Sequence, residues 1–147
     1  MRSLSRLLAP ERIAWLAGES RNEILRELAE VHCRLDPVVP LDQVLGALIE
    51  REELGSTAIG LGLALPHARI EKLRAFSLVL GVHPSGVDFV AFDDHPVRIF
   101  SLILGPSSED DLYVRILGRT SRFLRDNRDA ILAAATPDAI YALTLQY

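Results

Sequence analysis

The sequence predicts an α/β fold, a three-layer α/β/α sandwich in which helices cover both faces of a central sheet. Two short apolar runs, residues 75–82 and 95–105, are bounded by Gly, Pro and Asp, which is typical of strands buried on both faces. Amphipathic segments with helical spacing precede and follow these two runs. Because a sheet buried on both faces needs helices on each side, the layered arrangement is the most economical one.

The composition predicts one globular unit. The chain has 147 residues, the size of an ordinary domain, and we expect residues 1–147 to form a single domain. Its formal net charge of −4 argues against nucleic-acid binding, which needs a basic surface. With one cysteine, Cys33, no leader segment and no apolar run near the roughly 20 residues of a spanning helix, we expect a cytoplasmic protein without direct membrane insertion.

The first part of the chain predicts a weak strand followed by two amphipathic helices. Residues 12–18 form a short apolar run, which predicts the strand. Residues 20–35 begin with Ser20 and Glu23 at the spacing of a capping box and continue with apolar residues at helical spacing. Residues 40–55 repeat that spacing and predict the second helix.

Three helices are predicted after the last apolar run. Residues 107–127 have an acidic first turn and a basic remainder, which favours the longest helix of the chain. Residues 128–135 predict a separate, shorter helix. Thr136 and Pro137 then give an N-cap and first-turn signal for a last helix over residues 138–146.

Residues 60–65 alternate glycine or alanine with leucine, which predicts one strand with a small face and a leucine face. Pro66 should end this strand in a stiff bend from which the His67 ring can be aimed. Two phosphate-loop patterns fail here. Leu61 stands where a nucleotide-cradling loop needs lysine, and Pro66 falls where the helix of a dinucleotide-binding motif should begin.

His67 is the candidate nucleophile. An isolated histidine is more often structural, but neutral imidazole is available near pH 7 and can carry a phosphoryl group. Arg51, at the end of the preceding helix, offers a guanidinium, while Ser56 and Thr57 offer hydroxyl and backbone donors. The ordinary interpretations are that Arg51 is a solvated charge at a helix end and that Ser56 and Thr57 form a helix cap.

The remaining histidines predict no second site. His32 and His83 are most simply structural or solvent-facing. Asp93, Asp94 and His95 share one turn and suggest a metal, but consecutive turn residues rarely converge on one ion. We therefore expect no metal site, and nothing in the sequence requires a bound cofactor.

The segment "REELGSTAIGLGLALPHARIE", residues 51–71, resembles the active-site signature of EIIA domains of the fructose/mannitol class in the bacterial phosphotransferase system. That class includes the nitrogen-related regulatory EIIA proteins. Residues 86–106, "GVDFVAFDDHPVRIFSLILGP", are similar to its central segment. The resemblance implies a mixed sheet, and a phosphoryl group that His67 receives from an HPr-like or nitrogen-branch phosphocarrier while Arg51 steadies its oxygens. The implied downstream partner is the EIIB domain of a permease or a regulatory target protein.

The chain departs from this family at the usual second active-site histidine. Matching "YVRILGRTSRFLRD" backward from its end puts Tyr113 there, whereas matching forward from "DL" puts Asp111 there. Tyr113 keeps the helical spacing, and its hydroxyl can donate a hydrogen bond to His67 or a phosphoryl oxygen without adding charge. Two functions stay open: phosphoryl relay or signalling through His67, and a non-catalytic regulatory module that acts by protein–protein binding.

Overall fold

A mixed sheet lies between two helical layers in the computed structural model, which describes residues 3–89 and 93–147. The strands are β1 (Ile13–Trp15), β2 (Ala58–Gly60), β3 (Leu63–Ala64), β4 (His67–Arg69), β5 (Ser77–Val87) and β6 (Val97–Gly105). The helices are α1 (Arg21–Leu35), α2 (Leu41–Leu54), α3 (Asp110–Ala133) and α4 (Pro137–Leu143), with 3-10 turns at Leu4–Arg6, Pro10–Arg12 and Thr144–Gln146.

The strand order is β1–β5–β6–β3–β2, and β4 also pairs with β6. The central β5–β6 pair is antiparallel, while β1 runs parallel to β5. Both β3 and β4 run parallel to β6: β3 lies opposite residues 99–100 and β4 opposite residues 103–105. The two short strands therefore form one interrupted line beside β6, with residues 65–66 at the interruption.

Successive residues of β6 point to opposite helical layers. Phe100 and Leu102 pack with α1 and α2, whereas Ile99 and Ile103 pack with α3 and α4. All four side chains are fully buried. Such a strand reads as a nearly continuous apolar run because both of its faces are covered. The predicted three-layer α/β/α sandwich is confirmed.

Two helices begin at the capping residues that the sequence predicts. The Ser20 hydroxyl oxygen accepts a hydrogen bond from the Glu23 backbone N–H at 3.2 Å. In a capping box the Glu23 carboxylate would also accept a hydrogen bond from the Ser20 backbone N–H. Here it accepts instead from the Ser20 hydroxyl and from the backbone N–H of the preceding residue, Glu19. At the start of α4, Thr136 Oγ1 accepts from the Ala139 N–H at 3.1 Å.

Helix α3 is longer than predicted, and the prediction of a separate helix over residues 128–135 is wrong. α3 continues without a break to Ala133 because Leu124 and Ile131, both fully buried, lie on one continuous apolar stripe. The Asn127 side chain donates to a carbonyl one turn earlier, so this polar residue is accommodated inside the helix. None of the helices in residues 3–89 and 93–147 is long and apolar enough to cross a membrane.

The predicted single strand over residues 60–65 is also wrong. The segment is a hairpin, in which β2 and β3 are antiparallel and the chain reverses between them. Gly60, Leu61 and Gly62 have φ values of 87°, 61° and 75°, a left-handed run that glycine adopts at low cost. Leu61 is therefore exposed at the turn while Leu63 is fully buried, so the leucines do not share one face.

Candidate active site

A cavity of about 500 Å³ opens between α2, β4 and the first turns of α3. Arg51, His67 and Tyr113 line it, so the structure brings three of the predicted site residues together. The other lining residues are Ala47, Glu50, Leu54, Ala68, Arg69, Val114 and Leu117. Leu54 and Val114 are 83% and 62% exposed, which gives the cavity an apolar rim.

The interruption between β3 and β4 fixes the tautomer of His67. Pro66 has no N–H for the ladder, and its carbonyl accepts from the Ile103 N–H at 2.9 Å. The preceding Leu65 carbonyl instead lies 2.7 Å from His67 Nδ1. Because a carbonyl oxygen can only accept, Nδ1 must carry the proton. In neutral His67 the lone pair is therefore on Nε2.

The protein environment favours the neutral form of His67. Burial lowers the pKa of the half-buried imidazole below its usual 6.5, and the charges of Arg51 and Arg69 lower it further. The hydrogen bond to the Leu65 carbonyl acts in the opposite direction. Since burial is the largest of these effects, the neutral form of His67 predominates at pH 7 and leaves the Nε2 lone pair unprotonated.

Tyr113 packs directly against the His67 ring. The two ring centroids are 5.9 Å apart at an interplanar angle of 66°, an edge-to-face contact. The Tyr113 hydroxyl is buried and has no hydrogen-bond partner among the described residues. Burial raises the pKa of Tyr113 to about 12, so the hydroxyl stays a donor. Asp111, the other residue considered for this position, is exposed and does not line the cavity.

Arg69 also lies at the cavity, and sequence reasoning missed it. It is two residues after His67 in β4, so both side chains point to the same side of the strand. Its guanidinium carbon lies 4.8 Å from the Tyr113 ring centroid, a cation–π contact. An ion pair with Asp110, the first residue of α3, holds the guanidinium there. Strand alternation from His67 would have found Arg69 if β4 had been recognised.

Arg51 reaches the cavity from the last turn of α2. One of its N–H groups donates to the Gly55 carbonyl at 2.8 Å, which closes the end of the helix. Among the described residues its guanidinium makes no ion pair within 4.0 Å, so its other donors are available to a ligand. The positive charge of Arg51 contributes to the lowered pKa of His67.

Ser56 and Thr57 lie outside this cavity. The Ser56 hydroxyl donates to the Phe89 carbonyl at 2.8 Å. The Thr57 N–H and hydroxyl both donate to the buried carboxylate of Glu52. Burial raises the pKa of that carboxyl group, and the two bonds from Thr57 oppose the shift. In this structure Ser56 and Thr57 hold the connection between α2 and β2.

The other histidines lie away from the cavity. His32 is fully buried and bonds Ser77 Oγ through Nδ1 at 2.7 Å. His83 is inside β5, and its Nε2 bonds the Gly18 carbonyl at 2.9 Å. His95 is exposed in its turn. In the described part of the chain no group of three or more His, Cys, Asp or Glu side chains is arranged to hold a metal ion.

Comparison with known proteins gives consistent matches along nearly the whole chain. The profile of the family described as "Phosphoenolpyruvate-dependent sugar phosphotransferase system, EIIA 2" matches residues 6–147. A nitrogen regulatory protein of Pseudomonas aeruginosa is 30% identical over 146 residues, which cover 97% of this chain and 94% of the relative. The fructose-specific EIIA component of Haloferax volcanii is 32% identical over 83% of this chain and 79% of the relative.

Solved structures match the fold. The nitrogen regulatory protein IIA-Ntr of Neisseria meningitidis has a TM-score of 0.90 at 21% identity, covering 96% of this chain and 98% of that one. The mannitol IIA of Escherichia coli has a TM-score of 0.78 at 22% identity, covering 93% of this chain and 98% of that one. Taken with the profile match, this shows that the chain belongs to the EIIA 2 family of the phosphoenolpyruvate-dependent sugar phosphotransferase system.

Proposed function

We propose that this EIIA protein accepts a phosphoryl group on Nε2 of His67 from an HPr-like or nitrogen-branch phosphocarrier. It then relays the group or uses it as a regulatory signal. The hydrogen bond from Nδ1 of His67 to the Leu65 carbonyl carries this proposal. It leaves the Nε2 lone pair available in a cavity that two guanidiniums, those of Arg51 and Arg69, also line.

The transfer is a displacement at phosphorus. Nε2 of His67 attacks the phosphorus atom of a phosphohistidine on the donor, and the donor's N–P bond breaks as the new one forms. The electron pair of the broken bond returns to the donor's imidazole. His67 keeps its Nδ1 proton, so the phosphorylated ring is cationic and the Leu65 carbonyl stabilises it. No bound cofactor takes part in this step.

In our proposal three side chains stabilise the phosphoryl oxygens. A phosphoryl group brings close to two negative charges at pH 7. Arg51 and Arg69 supply positive charge, and the unpartnered Tyr113 hydroxyl supplies a hydrogen-bond donor. Tyr113 itself adds no charge. The positive group nearest to its ring is the guanidinium of Arg69, which is already paired with Asp110.

The rim of the cavity suits a transient protein contact. Leu54 on α2 and Val114 on α3 are strongly exposed apolar side chains that line the cavity. A phosphoprotein that docks on this rim can present its phosphoryl group to His67 and exclude water from the transfer. In our proposal the phosphocarrier and a downstream EIIB domain or regulatory target use this rim in turn, in the cytoplasm.

The relatives carry both regulatory and transport names. Those at 30% identity or more include the nitrogen regulatory protein of Pseudomonas aeruginosa and the fructose-specific EIIA component of Haloferax volcanii. The mannitol IIA of Escherichia coli has been solved in complex with phosphorylated IIB. Phosphoryl transfer through His67 is common to either role, and it is the step to test first.

The deciding experiment incubates the protein with a phosphoenolpyruvate-driven HPr-type donor and measures the intact mass before and after acid treatment. We expect one acid-labile phosphoryl group, absent from His67→Ala and retained in His95→Ala, a control at an exposed histidine outside the cavity. If several donors, including the nitrogen-branch carrier, give no label, the proposal of phosphoryl transfer to His67 is wrong. The result would then favour a non-catalytic regulatory module that acts by protein–protein binding.

A further inference from the structure

A second cavity, of about 520 Å³, lies on the other side of the first turns of α3. The N-terminal 3-10 turns, the segment before β5 and the start of α3 enclose it. Its lining shares no residue with the cavity around His67. We call it the arginine cavity because Arg6, Arg12 and Arg74 line it.

The arginine cavity is positively charged in a chain whose net charge is negative. Its lining has three arginines and one acidic residue, Glu109, which gives a formal charge of +2, against −4 for the whole chain. The guanidinium groups of Arg6 and Arg74 make no hydrogen bond or ion pair within the described residues. The Arg12 guanidinium donates one bond, to Ser77 Oγ at 2.9 Å, and keeps its other donors. Several guanidiniums with unused donors around one concavity favour a multiply charged anion.

The floor of the arginine cavity is apolar. Ile116 is 2% exposed, and partly buried apolar side chains surround it. The apolar lining side chains are Leu7, Ala75, Phe76, Pro106, Leu112 and Ile116. A fully hydrated inorganic ion gains nothing from such a floor, whereas an apolar group buried on it is stabilised. We infer that the arginine cavity binds a small organic dianion of the phosphate-monoester type, with its charged end at the guanidiniums and its apolar end on this floor.

An aromatic contact connects the two cavities. Phe76 lines the arginine cavity and Tyr113 lines the His67 cavity, and their ring centroids are 5.9 Å apart. Both rings pack against Gly105, where a Cβ atom would collide with them. Tyr113 in turn contacts the His67 ring. A ligand that moves Phe76 therefore changes the surroundings of the imidazole.

The test is a titration of the unphosphorylated protein with phenyl phosphate and with inorganic phosphate at constant ionic strength. Since no phosphocarrier is present, the result does not depend on phosphoryl transfer. We expect phenyl phosphate to bind about tenfold more tightly than inorganic phosphate, as burial of a phenyl ring predicts. We also expect its binding to shift the ring NMR signals of His67.

Variants that remove a positive or a negative charge from the arginine cavity test where the ligand binds. Arg74→Gln and Arg6→Gln should each weaken phenyl phosphate binding by about tenfold, the loss of one charge-assisted contact. Glu109→Gln should strengthen binding because it removes the one carboxylate of the lining. Arg122→Gln, at an exposed arginine outside both cavities, should leave the affinity unchanged.

Three results would overturn the assignment. One is equal affinity for phenyl phosphate and inorganic phosphate. Another is an equal loss in Arg74→Gln and Arg122→Gln, which would indicate a general charge effect. The third is binding that Arg51→Gln abolishes and Arg74→Gln does not, which would place the ligand at His67 instead. Thermal unfolding of each variant serves as the control that the variant is folded. Binding of phenyl phosphate without any shift of the His67 NMR signals would refute the connection between the two cavities through Phe76.

Discussion

Replacing Thr57 by Val tests whether this residue stabilises the fold or the phosphoryl group. The Thr57 hydroxyl and N–H each bond one carboxylate oxygen of Glu52, and both residues are only 5% exposed. Valine has nearly the same shape and removes the hydroxyl alone. In Thr57→Val the carboxylate therefore stays buried and keeps a single partner from this residue.

The magnitude follows from that lost bond. A hydrogen bond to a charged group contributes about 1.5–3 kcal/mol, so the free energy of unfolding at neutral pH should fall by about 2 kcal/mol. For a chain of this size that is a decrease of about 4–8 °C in Tm. Thr120→Val is the matched control, because the Thr120 hydroxyl is buried without a partner among the described residues. Its removal should cost little or even stabilise the protein.

The loss should depend on pH in a defined direction. Burial raises the pKa of Glu52 above its usual 4.5, and the bonds from Thr57 oppose that rise. As pH increases, the unfolded chain ionises first, and stability falls until the folded carboxyl group also ionises. In Thr57→Val the folded pKa is higher still, so stability falls further. The difference from the native protein should be small at about pH 4, below the usual pKa of the carboxyl group, and larger at pH 7.

The assay combines urea unfolding at these two pH values with the rate of phosphorylation by an HPr-like donor well below Tm. We expect a lower free energy of unfolding and an unchanged rate. An unchanged stability together with a severalfold slower rate would refute the structural reasoning. The hydroxyl of Thr57 would then act on the phosphoryl group, as the sequence pattern first suggested.

Three further predictions concern the candidate site and the hairpin turn. Because burial lowers the pKa of His67, the midpoint at which the phosphorylation rate declines with falling pH should lie below the usual 6.5 of histidine; a pH–rate midpoint at or above 6.5 would contradict this. Tyr113→Phe should slow phosphorylation about fivefold, the loss of one neutral hydrogen bond of about 1 kcal/mol, without loss of stability. Tyr113→His should raise the rate, and equal rates in all three proteins would mean that this position is idle. Leu61→Asn should raise the free energy of unfolding by about 1 kcal/mol in urea titrations, because Leu61 has φ 61° and asparagine tolerates that region. Leu54→Asn, at an exposed leucine in α2, should give no such gain.

The layered fold was predictable because its signals are long and repeated. The apolar runs of β5 and β6 and the stripe of α1 each extend over several turns or pleats. The errors arose where a short pattern has two physical meanings. Glycine alternating with leucine over residues 60–65 resembles strand periodicity, yet Gly60 and Gly62 serve a left-handed turn. That residues 1–147 form a single domain stays a prediction.

The site was predictable in part. His67 and Arg51 belong to one continuous signature, and the structure places both at one cavity. Arg69 was missed because its role depends on a three-residue strand and on the ring of Tyr113, a contact that no local pattern contains. Thr57 was assigned to the phosphoryl group because the sequence does not show that Glu52 is buried beside it.

The choice of nitrogen in His67 rests on the main chain. The Leu65 carbonyl is present whatever side chain that residue carries, so substitutions around the cavity do not remove the acceptor that holds the Nδ1 proton. If His67 is the phosphoryl acceptor that we propose, the nitrogen that accepts the group is therefore fixed independently of the side chains around the cavity. A related domain with a residue other than Tyr113 at this position would still present the same lone pair.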